Sequence, residues 1–299
     1  MDPVRLRLLR ELGDRGSIAA VAAASHVSAS AVSQQLAALQ ATVPVPLTTR
    51  RGRVLVLTDA GEALAIAGSR VEEALAQARD SVDAYLHRSD RAVTVSAFHS
   101  AGLALFGPLL SALPEGVLVS LRDADVAGVD FPSLTADHDL VIAHRLAHDP
   151  IWPSARLGIV PLFVEPLDVA LAITHPLAGQ TTVTPEQLAD QRWISVQDGF
   201  PLAGALDHLA ALVGRPLHIE HRINELFVAA EVVRSGRAIA IMPRVTASPL
   251  AVSGMVLRPI EGVHLVRHVD VLARRDKIVL RPVQDVLTTL CRIAADQQG

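Results

Sequence analysis

The sequence predicts an α/β protein in three parts: a small helical N-terminal domain, a long linking helix, and a larger α/β domain. Three observations support this fold class. A chain of 299 residues is long enough for about two domains. Apolar residues recur at helical spacing up to Arg91, and beyond it short strand-like apolar runs alternate with helices. Positive charge is concentrated at the beginning of the chain.

The net charge of -4 is unevenly distributed. Residues 1–58 contain seven arginines and three acidic residues, a net charge of +4, whereas residues 59–91 contain four arginines and seven acidic residues, a net charge of -3. The remainder of the chain therefore carries -5. This asymmetry is typical of a nucleic-acid-binding module joined to a domain with a different role.

Three short helices are predicted before residue 41. Leucines at helical spacing form the first helix, which ends near Gly16. Ser17 is a good cap for a second helix of small residues, and after a turn at residues 25–27 Ser28 caps a third. The apolar face of that third helix consists of Val32, Leu36 and Leu39. This is the layout of a helix-turn-helix, whose second helix enters the major groove of DNA.

Contacts to DNA are predicted from this third helix and from a hairpin after it. The start of the helix presents Ser28, Ala29, Ser30, Ser33 and Gln34. Glutamine can form two hydrogen bonds to adenine, and serine reaches bases or phosphates. Three arginines, Arg50, Arg51 and Arg53, cluster around Gly52. An alternating apolar strand at residues 54–57 follows, which predicts a wing that contacts phosphates or a minor groove. A solvated, arginine-rich turn is the alternative interpretation.

A single long helix is predicted from Asp59 to about residue 87. It opens with Asp59 and Glu62 at the spacing of a capping box. Its apolar stripe consists of Ala60, Leu64, Ala67, Val71, Leu75, Ala78, Val82 and Leu86. Such a stripe on a helix between two domains favours burial against its copy in a second subunit, which gives a dimer with two DNA-reading heads. Packing against its own chain is the alternative.

The region beyond Arg91 predicts a mainly parallel sheet with helices on both faces. The predicted strands are Val93–Ala97, Val117–Leu121, Leu140–Ala143, Val169–Ile173, Trp193–Val196, Ile219–Ile223, Ile239–Met242 and Val269–Ala273. Helices are predicted between most of them, for example at Leu103–Leu113, Pro185–Ala189, Leu202–Val213 and Glu225–Ser235. Ligands of such sheets bind outside the carboxyl ends of the strands, so we expect a cleft there.

Several segments resemble the LysR-type transcriptional regulators in order and spacing. They are Gly16-Ser17-Ile18, residues 27–36, Pro46-Leu47 with Arg50, and Leu57-Thr58-Asp59-Ala60-Gly61. Weaker similarity continues as far as Met242-Pro243-Arg244, so the resemblance covers nearly the whole chain. The chain departs from the usual pattern at Gln40, in place of a glutamate, at Thr42-Val43-Pro44-Val45, in place of an acidic turn with glycine, and at Thr48, in place of a phenylalanine.

The resemblance implies a winged helix-turn-helix, a linker helix and a two-lobed effector-binding domain similar to a periplasmic solute-binding protein. It implies domains at 1–58, 59–91 and 92–299, with lobe I at about 92–162 and 267–299 and lobe II at about 163–266. The resemblance also implies that the residues in contact with bases are Ala29, Ser30, Ser33 and Gln34. It places Arg50, Arg51 and Arg53 on the wing. The implied partners are double-stranded DNA with an inverted-repeat operator, a small-molecule effector, and further copies of the chain in a homodimer or homotetramer.

Residues that follow the predicted strands are the candidate effector contacts. They are His99, Ser100, Ala101, His144, Gln197, Asp198, Phe200, Asn224 and Phe227. The polar groups are mostly neutral, and no arginine among them is placed to hold a carboxylate, so the charge of the effector stays open. Each residue alone could instead cap a helix or order a loop, but as a group at strand ends they favour a binding site.

Catalysis, metals and cofactors are not expected. The chain contains no nucleophile elbow, phosphate-binding loop, dinucleotide fingerprint or His-Glu-x-x-His motif. Histidine pairs four residues apart, such as His144 with His148, fall on predicted strand ends and loops rather than on a helix. A single cysteine, Cys291, excludes an internal disulfide. Polar residues interrupt every long uncharged segment, and the N-terminus lacks a secretory signal, so we expect a cytoplasmic protein without a membrane span.

These observations predict a sequence-specific DNA-binding transcriptional regulator that is controlled by a small molecule bound between the C-terminal lobes. A ligand-binding protein whose head no longer reads DNA is a second interpretation. The uncharged third helix and the altered turn at Pro44 favour it, and a test of duplex binding separates it from the first. An enzyme on a two-lobed fold has no supporting motif.

Overall fold

The structure, a computed structural model, describes residues 1–52, 54–85, 91–252 and 254–297. Its N-terminal unit consists of α1 (Pro3–Arg15), α2 (Ile18–Ser25), α3 (Ala29–Gln40), β1 (Thr48–Arg51) and β2 (Val54–Leu57). The side chains of Asp2, Ser17 and Ser28 cap the three helices by accepting hydrogen bonds from their first turns. The two strands pair antiparallel. The predicted winged helix-turn-helix is confirmed, although Arg53 lies outside the described residues.

The side chain of Gln40 orders the turn between α3 and the wing. Its Oε1 accepts a hydrogen bond from the Leu47 N–H at 2.8 Å. Its Nε2 donates to the Val45 carbonyl at 2.8 Å and to the Val43 carbonyl at 3.4 Å. A glutamate carboxylate could accept in the same way but could not donate. The amide of Gln40 therefore stabilises the unusual turn at residues 42–45 by hydrogen bonds that a glutamate could make only in part.

The linking helix α4 (Asp59–Tyr85) packs one face against α1. Thr58 caps it, because its Oγ1 accepts a hydrogen bond from the Gly61 N–H at 3.1 Å. The expected capping box that begins at Asp59 is therefore wrong, since Asp59 is already helical. Gly61 is required at its position because a Cβ there would lie 2.0 Å from the carbonyl oxygen of Leu47.

The apolar stripe of α4 is divided between two environments. Its first two residues, Ala60 and Leu64, are half-buried, and Leu64 packs against the hydrophobic core of the N-terminal unit. The exposed members are Ala67, Val71 (38% exposed), Leu75 (40%), Ala78 and Val82 (58%). Leu86 lies outside the described residues. Within the part of the chain that the structure describes, the C-terminal half of the stripe is therefore the exposed half.

The C-terminal domain is built on a mixed sheet. Its described strands are β3 (Val93–Ala97), β4 (Val119–Asp123), β5 (Leu140–Leu146), β6 (Leu157–Ala172), β7 (Arg192–Ser195), β8 (His218–Arg222), β9 (Ile239–Pro243), β10 (Met255–Arg258) and β11 (Val266–Arg274). The order is β4-β3-β5-β11-β6-β9-β7-β8, with β10 paired to β6. β3 and β7 pair in parallel with their neighbours, whereas β6, β10 and β11 pair antiparallel. We expected a mainly parallel sheet, but the sheet is mixed. The reason is that β6 and β11, which join its two halves, run antiparallel to their neighbours.

Strand β6 differs most from the sequence prediction, since it begins at Leu157 instead of Val169. Pro161 and Pro166 lie inside it, and proline within an apolar run argues against a central strand. The sheet accommodates this segment with an irregular register between Val269 and Asp270 of the partner strand, next to Pro161. The short strand β10 was likewise not predicted.

Seven described helices cover the sheet. They are α5 (His99–Ala112), α6 (Phe131–Leu134), α7 (Pro185–Leu188), α8 (Ala203–Val213), α9 (Leu226–Arg234), α10 (Arg275–Ile278) and α11 (Arg281–Asp296). Two separate hydrophobic cores result. We call lobe I the half in which β3–β5 pack with α5 and α11, and lobe II the half in which β7–β9 pack with α8 and α9. Cys291 is half-buried in α11.

A buried ion pair between the paired strands β6 and β11 joins the two lobes. The side chains of Glu165 and Arg267 are 0% and 1% exposed, and Arg267 Nε donates to Glu165 Oε1 at 2.7 Å. Arg267 Nη2 also donates to the hydroxyl of Ser100 in lobe I at 3.0 Å and to that of Thr246 in lobe II at 2.6 Å. One guanidinium therefore contacts both lobes.

A second group of charges holds the N-terminal unit against lobe I. Arg10 of α1 is 3% exposed and donates to Glu11 at 2.8 Å and to Glu72 of α4 at 3.0 Å. Glu11 also accepts a hydrogen bond from Arg274, at the end of β11, at 3.0 Å. Further pairs are Arg15 with Asp137 at 2.9 Å, Arg156 with Asp14 at 3.0 Å and Arg275 with Glu73 at 3.8 Å. The contact between the two units is therefore mainly ionic.

Replacing Arg267 by methionine is expected to lower the free energy of unfolding by about 3–5 kcal/mol, because Glu165 becomes an unpaired buried charge. The double variant Glu165→Gln/Arg267→Met removes both charges and should recover most of this loss. Urea unfolding of the three proteins, followed by circular dichroism, measures the difference. If the double variant is less stable than Arg267→Met, the ion pair is not the source of the effect.

Candidate functional site

The start of α3 presents a polar surface to solvent. The exposed residues there are Ser28, Ala29, Ser30, Ser33 and Gln34. The Ser28 Oγ lies 2.9 Å from the Ser30 Oγ and accepts a hydrogen bond from the Ala31 N–H at 3.1 Å, so this hydroxyl is engaged in capping. The amide of Gln34 and the hydroxyl of Ser33 lie one turn further along the same surface. The structure thus brings the predicted base-reading residues together.

The wing stands beside α3. Arg50 and Arg51 are exposed at the end of β1, and Gly52 makes the turn with a φ of 63°. A groove of about 270 Å³ separates α3 from the wing. Its lining includes Ser33, Ala37 and Gln40 of α3 and Thr48 and Leu55 of the wing. The polar surface of α3 and the arginines of the wing therefore belong to neighbouring elements.

The two lobes of the C-terminal domain enclose a narrow inner cleft of about 30 Å³. Five of the predicted effector contacts line it: His99, Ser100, His144, Phe200 and Asn224. Four of them follow the carboxyl ends of β3, β7 and β8, and His144 lies within β5. These are the strand ends at which ligands of α/β sheets bind.

The other four predicted effector contacts lie elsewhere and are corrected. Ala101 is 0% exposed because its side chain packs in the core of lobe I. Asp198 is 87% exposed and pairs with Arg222 at 2.9 Å. Gln197 is exposed outside the cleft lining, and Phe227 is 45% exposed on α9. The sequence located the strand ends, but the direction of each side chain depends on how the following loop or helix packs.

His99 links the two lobes at the inner cleft. Its Nδ1 contacts Glu225 of lobe II, and its Nε2 lies 3.3 Å from a carboxylate oxygen of Asp123 in lobe I. Asp125 is a third nearby carboxyl group. Burial raises the pKa of Asp125 to about 6; the neighbouring His99 opposes this shift and Glu225 adds to it. Three carboxyl groups around one imidazole make this side of the cleft acidic.

His144 is a neutral imidazole enclosed by aromatic rings. It is 4% exposed, and its ring centroid lies 4.3 Å from that of Phe98 and 5.6 Å from that of Phe131. Burial holds the pKa of His144 well below its usual value, and the charge of Arg267 lowers it further. Its Nδ1 has no hydrogen-bond partner among the described residues.

Arg267 is a charged residue of the cleft that is not among the residues predicted from the sequence. The candidate contacts included no arginine, but Arg267 lines the cleft. Its charge is held by Glu165, however, rather than left for a ligand. The available signal was a charged residue next to the apolar run at residues 269–273, but its partner lies about a hundred residues away in sequence.

The histidines of the described residues do not gather into a metal centre: no three His, Cys, Asp or Glu side chains there are grouped to hold an ion. His148 instead stacks on His208 of α8, with centroids 6.3 Å apart and planes at 17°. Among the described helices, none combines the length and apolar character needed to cross a bilayer.

Comparison with protein families accounts for both parts of the chain. Residues 4–62 match the profile of the bacterial regulatory helix-turn-helix protein, lysR family, and residues 87–292 match that of the LysR substrate binding domain. The chain belongs to the LysR family. It is a transcriptional regulator with a DNA-binding domain and an effector-binding domain. Its relatives in this family are regulators, which confirms the expectation that it is not an enzyme.

Similar proteins cover nearly the whole of this LysR-family chain. GltC of Bacillus subtilis, a transcriptional dual regulator, is 26% identical over 93% of this chain and 92% of its own. Full-length OxyR from Pseudomonas aeruginosa has a TM-score of 0.64 at 20% identity, covering 97% of this chain and 94% of its own. CbnR, a LysR family transcriptional regulator, has a TM-score of 0.52 at 20% identity, covering 96% and 100%. The two solved structures share the fold.

Thr48→Phe is expected to stabilise the N-terminal unit by about 1–2 kcal/mol, because the larger side chain fills apolar space that Thr48 leaves in the groove beside α3. Differential scanning calorimetry of the full chain measures the shift. Thr49→Phe is the matched control, since Thr49 is exposed on the neighbouring position of the same strand and should gain nothing. Equal melting temperatures for Thr48→Phe and the unmodified protein would contradict the cavity argument.

Asp125→Asn is expected to raise the melting temperature at pH 7.5 and to have a much smaller effect at pH 4. A buried carboxyl whose pKa rises from 3.8 to about 6 destabilises the fold fully above the higher value and not at all below the lower one. Calorimetry at the two pH values measures the difference. The control is Asp123→Asn, whose carboxylate is 72% exposed and should show no such dependence on burial. A pH-independent gain in Asp125→Asn would contradict this account.

Proposed function

We propose that this LysR-family regulator binds an inverted-repeat operator as a homodimer or homotetramer and responds to a small-molecule effector held between lobes I and II. The observation that carries the DNA part is the exposed polar start of α3 beside the exposed arginines of the wing. Side chains on a recognition helix read base edges, whereas wing cations fix the protein on the phosphate backbone. The cytoplasm, where DNA is available, is the expected compartment.

The two sets of DNA contacts have different roles. Gln34 can bond adenine through both its amide oxygen and nitrogen, and Ser33 and Ser30 can each donate or accept one hydrogen bond. Ala29 offers only an apolar contact, such as one with a thymine methyl group. Arg50 and Arg51, with Arg53, supply charge that does not depend on base sequence. Specificity therefore resides mainly on α3 and affinity mainly on the wing.

The uncovered part of the α4 stripe supports self-association. Val71, Leu75 and Val82 are exposed, whereas Ala65 and Gly68, which lie earlier along the helix, pack toward α1. Apolar side chains at this spacing are stabilised by burial against a second copy of the same helix. A two-fold dimer presents two copies of α3, which is the symmetry that an inverted-repeat operator matches.

The inner cleft supports the effector part of the proposal. Residues of both lobes line it, and His99 and Arg267 contact groups on both sides. A ligand that binds one arrangement of the lobes more tightly than another shifts the balance between them. We propose the domain boundaries 1–58, 59–91 and 92–299 as the units that move in this response.

Selection of duplexes from fragmented genomic DNA tests the DNA part. Purified full-length protein is expected to enrich a two-fold symmetric site at about 150 mM salt, near physiological ionic strength. An Arg51→Ala variant serves as the comparison in the same selection. Absence of any enrichment, with or without added cell metabolites, would favour the interpretation that the head does not read DNA.

Two substitutions are expected to separate affinity from specificity. Arg51→Ala should weaken binding to all duplexes and reduce the slope of log K against log salt by about 0.9 per subunit, because one phosphate contact is lost. Gln34→Ala should lower discrimination between the selected site and its single-base variants by about 1–3 kcal/mol without changing the salt slope. Fluorescence anisotropy over a salt series measures both. Arg237→Ala, at an exposed arginine of lobe II, is the matched control, and an unchanged slope in Arg51→Ala would contradict the wing assignment.

A further inference from the structure

A large outer cavity lies between the lobes beside the inner cleft. Its volume is about 530 Å³, against about 30 Å³ for the inner cleft. Small-molecule sites are typically cavities of about 300–1,000 Å³. The inner cleft is therefore too small for an organic ligand in this arrangement, whereas the outer cavity is large enough.

The two spaces are neighbours separated by a direct contact between the lobes. The Gly128 N–H of lobe I donates to the Gly199 carbonyl of lobe II at 3.0 Å. His144, Phe200 and Pro201 line both spaces. The lobes are thus closed over the inner cleft while the outer cavity stays open on the other side of His144.

The walls of the outer cavity are mainly apolar and aromatic. They include Val129, Pro132, Ile151, Trp152, Phe200 and Ala203. The Trp152 Nε1 donates to the buried carboxylate of Asp270 at 2.8 Å, which fixes the orientation of the indole ring. A fixed aromatic wall of this kind favours a flat or cyclic apolar ligand, since contacts between rings add stabilisation beyond that of the buried area.

The charges around the outer cavity do not favour an anion. Arg145 lies 3.4 Å from Asp270, so its charge has a carboxylate partner. Asp149 and Asp207 also line the cavity. Asp207 is exposed on the second turn of α8, where its negative charge offsets the partial positive charge of the helix N-terminus. Among the described lining residues, carboxylates outnumber arginines. A carboxylate ligand therefore meets no unpaired cation among these residues, while Arg145 and the positive N-terminal end of α8 oppose a cationic ligand.

Two buried polar atoms of the wall residues lack a hydrogen-bond partner among the described residues: the Nδ1 of His144 and the Nε of Arg145, which lies 3.4 Å from Asp270. The Nδ1 of His144 has no hydrogen bond among the described residues, although the side chain is only 4% exposed. An unsatisfied buried polar group is unfavourable, so a ligand group that bonds this ring is favoured. A neutral imidazole either accepts a hydrogen bond from a hydroxyl or donates one to an oxygen.

We infer that the outer cavity binds an uncharged ring compound with one hydroxyl or carbonyl group, whose polar group bonds His144 and whose ring packs against Trp152. The inference rests on the proposed function, in which an effector binds between the lobes, and it names the effector's chemical class and the space that holds it.

Isothermal titration calorimetry of the full-length protein tests the class with three probes of one shape: 4-tert-butylphenol, 4-tert-butylbenzoate and 4-tert-butylbenzylamine. The phenol is expected to bind at least tenfold more tightly than either charged probe. Its binding should also change the tryptophan fluorescence, and Trp152→Phe should remove that change. Tighter binding of the benzoate or the amine would overturn the class, and phenol binding that leaves the fluorescence unaltered would overturn the location.

Two variants and one matched control sharpen the test. Val129→Arg places a cation at the rim, where Val129 is 85% exposed, and should improve benzoate binding at least tenfold; Ile173→Arg, at a residue 63% exposed outside the cavity lining, should not. His144→Phe should weaken the phenol about tenfold while leaving 4-tert-butyltoluene unaffected. If no probe binds, the inference fails. Because the selection of operator DNA uses no probe, its success in that case leaves the DNA part of the proposed function intact.

Discussion

The buried pair of Glu165 and Arg267 is the interaction on which the C-terminal domain depends. Two opposite charges at almost zero exposure are tolerated only when each satisfies the other and further hydrogen bonds complete both. Here the N–H groups of Val245 and Thr246 donate to Glu165, and the hydroxyl of Ser100 accepts from Arg267. Because these partners come from both lobes, the pair fixes the floor of the inner cleft. It also neutralises the arginine there, so the carboxyl groups around His99 dominate the charge of that cleft.

Strand β11 places the ligand-binding region and the DNA-reading unit on one element. Arg267 lies near its start, and Arg274 at its end pairs with Glu11 of α1. The two arginines are separated by about 23 Å at a rise of ~3.3 Å per residue. Glu11 in turn contacts Arg10, whose side chain also binds Glu72 on the linking helix. The head, the linker and the cleft floor are therefore joined through a short series of charged contacts rather than through a shared hydrophobic core.

Local patterns in the sequence predicted most of the elements but only part of the site. Ser17 and Ser28 marked the starts of α2 and α3, and the apolar runs identified most of the strands to within a few residues. Strand β6 was underestimated because Pro161 interrupts its apolar pattern, and only the irregular register with its partner strand makes it continuous. Five of nine candidate effector contacts reach the inner cleft. The others failed because strand ends are visible in sequence, whereas the direction of a side chain in the following loop or helix is not.

The sequence by itself determined the helix-turn-helix, the linking helix and the order of most strands and helices. It also determined that the DNA-binding unit carries net positive charge and the rest of the chain net negative charge. These features depend on caps, periodicity and composition, which act over a few residues. Tertiary structure alone decided that Arg267 meets Glu165, that His144 is buried with no partner for Nδ1 in the described part of the chain, and that the larger space lies beside Trp152 rather than at His99. Each of these depends on groups far apart in the chain. Their proximity is fixed by the packing of two lobes across paired strands, and no short segment encodes it.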